Sequence, residues 1–429
     1  MKRKTLALFL AGAMTLSLLA GCGSGGEDKT PGGTTTDSGS PSGGSGEVTN
    51  VTLKVWCPSN QIDTGIMAEQ QKAFEAEHPE WKITWDTTAV GEDTCKDEVL
   101  KDVEAAADVF FFANDQLPDL VSAGAIAQLG GSAAEMVNST MAEAVIDTAM
   151  ADGKLYAIPF THNTFFMYYD KSLLNEDQIK SMEGIMAAET PDNVYNFYFE
   201  SSGGWKLGAW YYGAGLPVFG PDGSDLSAGV AWNNATGLAV TNYLIDLIND
   251  PKCAYDGEIA VSELIGDHRL GAWWDGAWNY DMYHDVLGDD LGMAVIPTFD
   301  PDGTDYQMLS FYGSKCIGVN AKSKNPAAAV AFAAFLGNEE NQILRFEKSA
   351  QIPTNMAAAE TEAVKANALA TVLVNESNNC SVMQPVNTTF SARYWTYAGA
   401  IPTEIRSGAI NKDNAQAKLD TFVAAMTAE

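Results

Sequence analysis

VTLKVWCPSNQIDTGIMAEQQKAFEAEHPEWKITWDTTAVGEDTCKDEVLKDVEAAADVFFF, residues 51–112, carries the pattern that decides the fold. Val51–Trp56 alternates apolar and polar residues and is rich in β-formers, so it reads as a strand. Gly65–Glu77 reads as a helix, with Ile66, Ala73 and Phe74 among its apolar positions. Trp81–Thr87 reads as a second strand, Asp97–Ala107 as a second helix, and Asp108–Phe112 as a short apolar third strand. Strand, helix, strand, helix, strand is the order of a parallel sheet covered on both faces. Ligands of open α/β sheets bind outside the carboxyl ends of the strands. The loops at those ends hold Asn60 and Gln61 after the first strand, and Asn114, Asp115 and Gln116 after the third. Asp115 also begins or caps a helix that runs towards Ala123.

Beyond this unit the pattern continues as α/β but becomes more aromatic. Gly153–Pro159 and Thr164–Asp170 read as strands around PFTHN, and Asp177–Ala188 as a helix. Tyr195–Phe199 is β-like, and Ser202–Gly215 is rich in Trp, Tyr and Gly. Asn233–Asn249 is amphipathic, with Val240, Leu244, Leu247 and Ile248 at helical spacing. The stretch LGAWWDGAWNYDMY (270–283) reads as a strand over Leu270–Trp274, a turn at Asp275–Gly276 and a helix start over Ala277–Tyr283. Trp278 therefore sits in a strand-to-helix loop, as Asp115 does. Leu291–Pro297 and Met308–Val319 read as strands. Asn325–Pro326 opens a helix that runs to Gly337. Ala357–Glu376, Phe390–Gly408 (kinked at Pro402) and Asn414–Thr427 are further helices.

The first 47 residues are of another kind. MKRKTLALFLAGAMTLSLLAGC (1–22) has a basic start, an apolar run too short for a spanning helix, and small residues before a cysteine. Residues 1–21 therefore read as an export signal. The tetrad Leu19-Ala20-Gly21-Cys22 resembles a bacterial lipobox, which implies acylation of Cys22 and an anchor to which each buried CH₂ contributes about 0.8 kcal/mol. Residues 22–47 start with that cysteine and continue almost entirely in Gly, Ser, Thr, Pro and charged residues, a flexible tether.

Composition narrows the function. The chain of 429 residues is long enough for two lobes, and its formal net charge is −31. Such a surface repels nucleic acid, which is set aside as a partner. Cys57, Cys95, Cys253, Cys316 and Cys380 are odd in number and widely spaced, without a CxxC pair. His78, His162, His268 and His284 form no HxxH or HExxH motif, so no metal site is expected. Neither a phosphate-binding glycine loop nor a Ser/His/Asp order is present, so no cofactor and no catalytic residue is assigned. Acidic pairs such as Asp275 with Asp281 are the residue types that glycosidases use, but 56 acids make such pairs common by chance. The aromatics are more informative. They cluster at 205–212, 273–283 and 394–397, each near an expected loop or helix start. Aromatic faces beside acidic and amide groups suit a sugar, although tryptophans packed in a core give the same composition.

At these residues the chain resembles the extracellular solute-binding proteins of carbohydrate ABC importers (family 1), specifically the maltose/maltodextrin-binding cluster. The resemblance is carried by DVFFFANDQLPDLVSAGAIAQL (108–129), DGKLYAIPFTHNTFFMYYDKSLL (152–174), WWDGAWN (273–279), MAVIPTF (293–299) and FSARYWTYAGAIPTEIRSG (390–408). It implies a periplasmic-binding-protein-like fold: two α/β lobes joined by a multi-strand hinge, with the ligand cleft between them. Lobe 1 would be 48–161 plus 307–367 and lobe 2 would be 164–300 plus 370–429. It further implies a monomer held on the outer face of the membrane by its lipid, as in Gram-positive bacteria. That monomer would pass an oligosaccharide, most simply a maltooligosaccharide, to ABC permease subunits. Carried over residue by residue, Asn60, Gln61, Asp115, Gln116 and Asn163 match polar sugar contacts. Phe112 matches a stacking position, Trp205 lies about where a stacking aromatic is expected, and Trp278 and Trp395 match the two principal stacking tryptophans. Asp275, in the turn before Trp278, is taken as a further contact. Gln116 stands where the family has Arg, Gly399 where a second Arg is usual, and Asn60–Gln61 where maltose binders carry an acid and a Lys. These departures leave another glycan open as the ligand. A surface glycosidase and an amino-acid, peptide or polyamine binder are the rival readings.

Overall fold

The computed structural model describes residues 48–201, 204–221 and 223–428. The export signal, Cys22 and the tether lie outside the described residues.

Two mixed sheets organise the chain. The first has six strands. Thr49–Cys57 runs parallel to Trp81–Ala89 on one side and to Val109–Ala113 on the other, as the opening stretch requires. The sheet is not wholly parallel. Ser310–Val319, far away in sequence, pairs antiparallel with Val109–Ala113 and with Ala157–Asn163, and parallel with Ser381–Met383. The second sheet has the order Leu291–Ala294, Phe166–Asp170, Leu270–Asp275, Tyr195–Phe199, Cys253–Tyr255. Its last three strands are parallel and Phe166–Asp170 is antiparallel to its neighbours.

Strand periodicity distributes the tryptophans. Every residue of Leu270–Asp275 is buried, and successive side chains leave by opposite faces. Trp273 stacks on Tyr168 at 5.8 Å on one face, while Trp274 meets Trp210 at 5.3 Å on the other. The helices Trp205–Gly213, Ala235–Ile248, Thr388–Arg406 and Ala415–Met426 bury their apolar residues in the cluster that contains Trp274 and Trp210. The first sheet has its own core, which includes Phe110, Phe111, Phe112 and Phe332. The five cysteines at 57, 95, 253, 316 and 380 are free and buried.

Several elements differ from their expected bounds, for local reasons. The helix expected over Asp97–Ala107 spans Cys95–Lys101, because the Asp102 carboxylate accepts from the N–H groups of Glu104 and Ala105 and offers the backbone a turn instead. Asp177–Ala188 breaks into a 3₁₀ turn, Gln178–Lys180, and a short helix, Met182–Met186, capped by Ser181. Ala357–Glu376 is three helices, Met356–Ala359, Glu362–Lys365 and Ala368–Asn379, the last restarted by the Asn367 cap. Trp205–Gly213 proves helical, entered through Gly204 at φ 78°, and Glu339–Ser349 is a helix beyond those the pattern predicts. Pro402 lies within one continuous helix, Thr388–Arg406.

Candidate ligand-binding site

A cavity of about 790 Å³ is lined by residues that follow or lie on strands of the first sheet and by residues attached to the second. On the first-sheet side, Thr49–Cys57 ends at Pro58 and the chain turns through a one-turn helix, Ser59–Asp63. Asn60 lines the cavity, and its Oδ1 is a buried acceptor with no hydrogen-bond donor. Gln61, expected beside it, does not line the cavity. It is fully buried, accepting from Arg345 Nε at 3.3 Å and donating to Gln351 Oε1 at 3.2 Å. The reason is the buried guanidinium, which lies 4.9 Å from the Phe160 ring and needs polar partners.

The third strand ends in the 3₁₀ turn Asn114–Gln116. Asp115 and Gln116 both line the cavity. Burial pushes the Asp115 carboxyl up to about 7, against the opposing pull of its own backbone hydrogen bond and of Lys96. Gln116 is already committed. Its amide donates to the carbonyls of Glu92 at 2.6 Å and Asp93 at 2.9 Å and accepts from Lys96 N–H at 2.8 Å. It therefore shapes the 92–96 turn rather than reaching freely for a ligand. Phe112 is a correction: it is fully buried, 5.9 Å from Phe110, and not in the cavity wall. Its side chain leaves by the same strand face as Phe110, whereas Ala113 reaches the cavity.

On the other side, Trp205, Trp278 and Trp395 all line the cavity, while Asn163 lines it from the end of a first-sheet strand. Trp205 opens its helix, donates from Nε1 to Gln384 Oε1 at 3.0 Å and meets Phe165 edge-on at 4.9 Å. Trp395 is propped by Phe390 and Tyr394, whose rings lie 5.3 and 5.1 Å away and nearly perpendicular. Trp278 is 40 % exposed, with its ring 5.9 Å from that of Trp205. Asp275 is the third correction. It is 8 % exposed and absent from the wall. Its carboxylate accepts from Gly276 N–H, Asn279 Nδ2 and the Tyr283 hydroxyl, so it fixes the loop that carries Trp278.

Among the described residues, contacts that join the sides include two at the cavity. Ser391 Oγ donates to the Asp115 carbonyl at 3.3 Å. Lys315 Nζ, from the first sheet, lies 5.0 Å from the centre of the Trp278 ring and 3.5 Å from Glu92 Oε1. Sequence reasoning misses Glu92 and Lys315. Glu92 follows the second strand, so the strand-end rule that finds Asn60 and Asp115 reaches it too. Lys315 is in mid-strand, where no such signal exists. Asn60 Oδ1 has no donor, and Glu92 Oε1 has only the ion-pair contact with Lys315 at 3.5 Å. A ligand rich in hydroxyls supplies what both acceptors need. Among the described residues, no three His, Cys, Asp or Glu side chains are grouped to hold a metal ion.

The model of the bacterial extracellular solute-binding proteins matches residues 69–372 of the chain. A galactooligosaccharide-binding protein of Bacillus subtilis is 26% identical over 289 residues, 63% of this chain and 65% of the relative, so the match spans just under two thirds of that protein. A maltooligosaccharide ABC transporter solute-binding lipoprotein of Streptococcus pneumoniae is 27% identical over 387 residues, 86% of this chain and 85% of the relative. A solved structure with acarbose superposes with a TM-score of 0.83 at 37% identity, covering 88% of this chain and 99% of that one.

Proposed function

The chain belongs to the bacterial extracellular solute-binding proteins, and on that premise we propose that it captures oligosaccharides, maltooligosaccharides first among them, for an ABC importer. The observation that carries this reading is one cavity with Trp205, Trp278 and Trp395 on one side and hydrogen-bonding groups, Asn60, Glu92 and Asp115, on the other. Stacking surface suits the C–H faces of sugar rings, and the polar groups suit the hydroxyls around them. The names of the Bacillus and Streptococcus relatives and the acarbose complex point to the same ligand class.

In this reading the two lobes, 48–161 plus 307–367 and 164–300 plus 370–429, close over the ligand. A sugar that touches both lobes only in the closed form shifts the hinge equilibrium by that difference in affinity. A micromolar Kd, about −8 kcal/mol, fits such a scavenger. The ligand leaves unchanged; the protein is not an enzyme and carries no cofactor. It acts as a monomer, held through acylated Cys22 on the outer face of the membrane, and hands its cargo to the permease subunits.

Calorimetric titration with maltotriose and a panel of other oligosaccharides tests this. Saturable heat with one of them supports the assignment, and no heat with any sinks it. Incubation with a labelled oligosaccharide checks the rest: a glycosidase returns shorter products, a binder does not.

A further inference from the structure

A fully buried carboxyl sits where the chain passes between its two sheets. Glu376 lies on the helix Ala368–Asn379, whose Leu369, Ala370 and Leu373 pack in a cluster with Phe166 and Trp273 of the second sheet. Just beyond, Ser381–Met383 joins the first sheet beside Ser310–Tyr312. The Glu376 side chain reaches two further connections between the sheets. Its Oε2 accepts from Ile296 N–H at 2.9 Å, on the segment between Leu291–Ala294 and Ser310–Val319. Its Oε1 is 2.7 Å from Ser310 Oγ. Ser310 Oγ is in turn 2.9 Å from Thr164 Oγ1, on the segment between Ala157–Asn163 and Phe166–Asp170. Three passages between the sheets thus meet in one hydrogen-bond cluster with Glu376 at its centre.

We propose that Glu376 is the positioning residue of the hinge, holding the two halves at the angle in which the contacts across the cleft form, and that it does so as the neutral acid. This rests on the solute-capture reading above. Ser310 Oγ donates to Oε1 and Ile296 N–H donates to Oε2, so both carboxyl oxygens are engaged, and Thr164 Oγ1 in turn lies 2.9 Å from Ser310 Oγ. The surroundings favour the neutral acid. Burial pushes the Glu376 pKa up to about 8, against the hydrogen bonds from Ser310 and Ile296, which favour the anion. Among the described residues, no cation answers it. Leu291–Ala294 and Ser381–Met383 carry no charged side chain. On the other packed elements, Asp170 is held by Ser172 and His268, Lys365 by Glu360, and Lys315 by Glu92. Tyr168 and Tyr312 are hydrogen-bonded to Gly276 and His162. Cys380, one turn on, is itself pushed up to about 12, chiefly by burial. The sign follows: raising the pH through about 8 ionises a carboxyl that this arrangement holds neutral, so the arrangement is lost as pH rises.

Small-angle scattering of the ligand-free protein and calorimetry with maltotriose, each from about pH 6 to about pH 9, test this on wild type, Glu376→Gln and Ser310→Ala. The wild type is expected to expand and to lose affinity as the pH rises towards about 8, by up to about tenfold per pH unit, and to change little beyond it. Glu376→Gln, which keeps a donor and an acceptor but cannot ionise, is expected to stay compact throughout, with only the rise in affinity that Asp115 gives near pH 7. Ser310→Ala removes a hydrogen bond that stabilises the anion, so its midpoint is expected to move to higher pH. A Glu376→Gln profile that follows wild type overturns the proposal; if that variant does not fold, an unmoved Ser310→Ala midpoint does the same. Absence of heat with every sugar refutes the capture reading alone, and the scattering profiles still decide the role of Glu376.

Discussion

The two walls of the cleft are built by different means. The wall attached to the second sheet is aromatic, and its tryptophans are held by other rings: Trp395 by Phe390 and Tyr394, Trp205 by Phe165. The wall attached to the first sheet is polar, and its groups are held by hydrogen bonds, with Gln116 tying the 92–96 turn. Packed rings present a fixed surface at little entropic cost, which suits a ligand recognised by shape. A buried acceptor such as Asn60 Oδ1 is costly until something donates to it, which suits discrimination. The aromatic wall is therefore expected to set how tightly the ligand is held, and the polar wall to set which ligand is held and at what pH.

The strongest challenge to that division is Trp278→Ala. Removing the exposed stacking face is expected to cost about 2 kcal/mol, roughly thirtyfold in Kd, by calorimetry with the best ligand. A loss under about threefold would move the main contact elsewhere. Gly276→Ala asks the same question without removing the ring. A Cβ there would lie 2.0 Å from the Trp278 ring, although the backbone at φ −90° and ψ 178° accepts alanine. The ring must swing, and affinity is expected to fall about tenfold with an unchanged melting midpoint, about 1.4 kcal/mol.

Asp115→Asn probes the polar wall. The ionised carboxylate is the better acceptor for sugar hydroxyls. Because its pKa is raised to about 7, the wild type is expected to bind more tightly as pH rises through that value. The variant loses this dependence and about 1 kcal/mol of affinity at the alkaline end. The profiles separate Asp115 from Glu376, whose titration weakens binding at higher pH. The smallest effect on affinity is expected for Gln61→Ala, within about twofold. Thermal melting should instead record a stability loss of about 1–3 kcal/mol, because the buried Arg345 loses a partner. A large change in Kd from Gln61→Ala would return that residue to the cleft.

Much of the site is legible in the sequence. The strand-end rule reaches Asn60, Asp115, Gln116 and Trp278 because backbone polarity and strand periodicity are local properties. Gln61, from the same rule, and Phe112, from the family resemblance, lie in the core. Each is one residue from a cavity-lining neighbour, and one residue is enough to reverse the direction of a side chain. Asp275 shows a second limit. Its position beside Trp278 is readable, but its three donors come from a turn and a helix whose geometry forms only on folding.

The order of strands and helices over 51–112, the clustering of aromatics and the shortage of catalytic motifs were determined by the sequence alone, because hydrophobic period and residue chemistry do not depend on distant contacts. Tertiary structure decided the rest. It placed Ser310–Val319 antiparallel in the first sheet, and with it Lys315 against Trp278 and Ser310 against Glu376. Those pairs join residues 37 and 66 positions apart. Contacts at that separation depend on how the elements pack, and no local pattern records them.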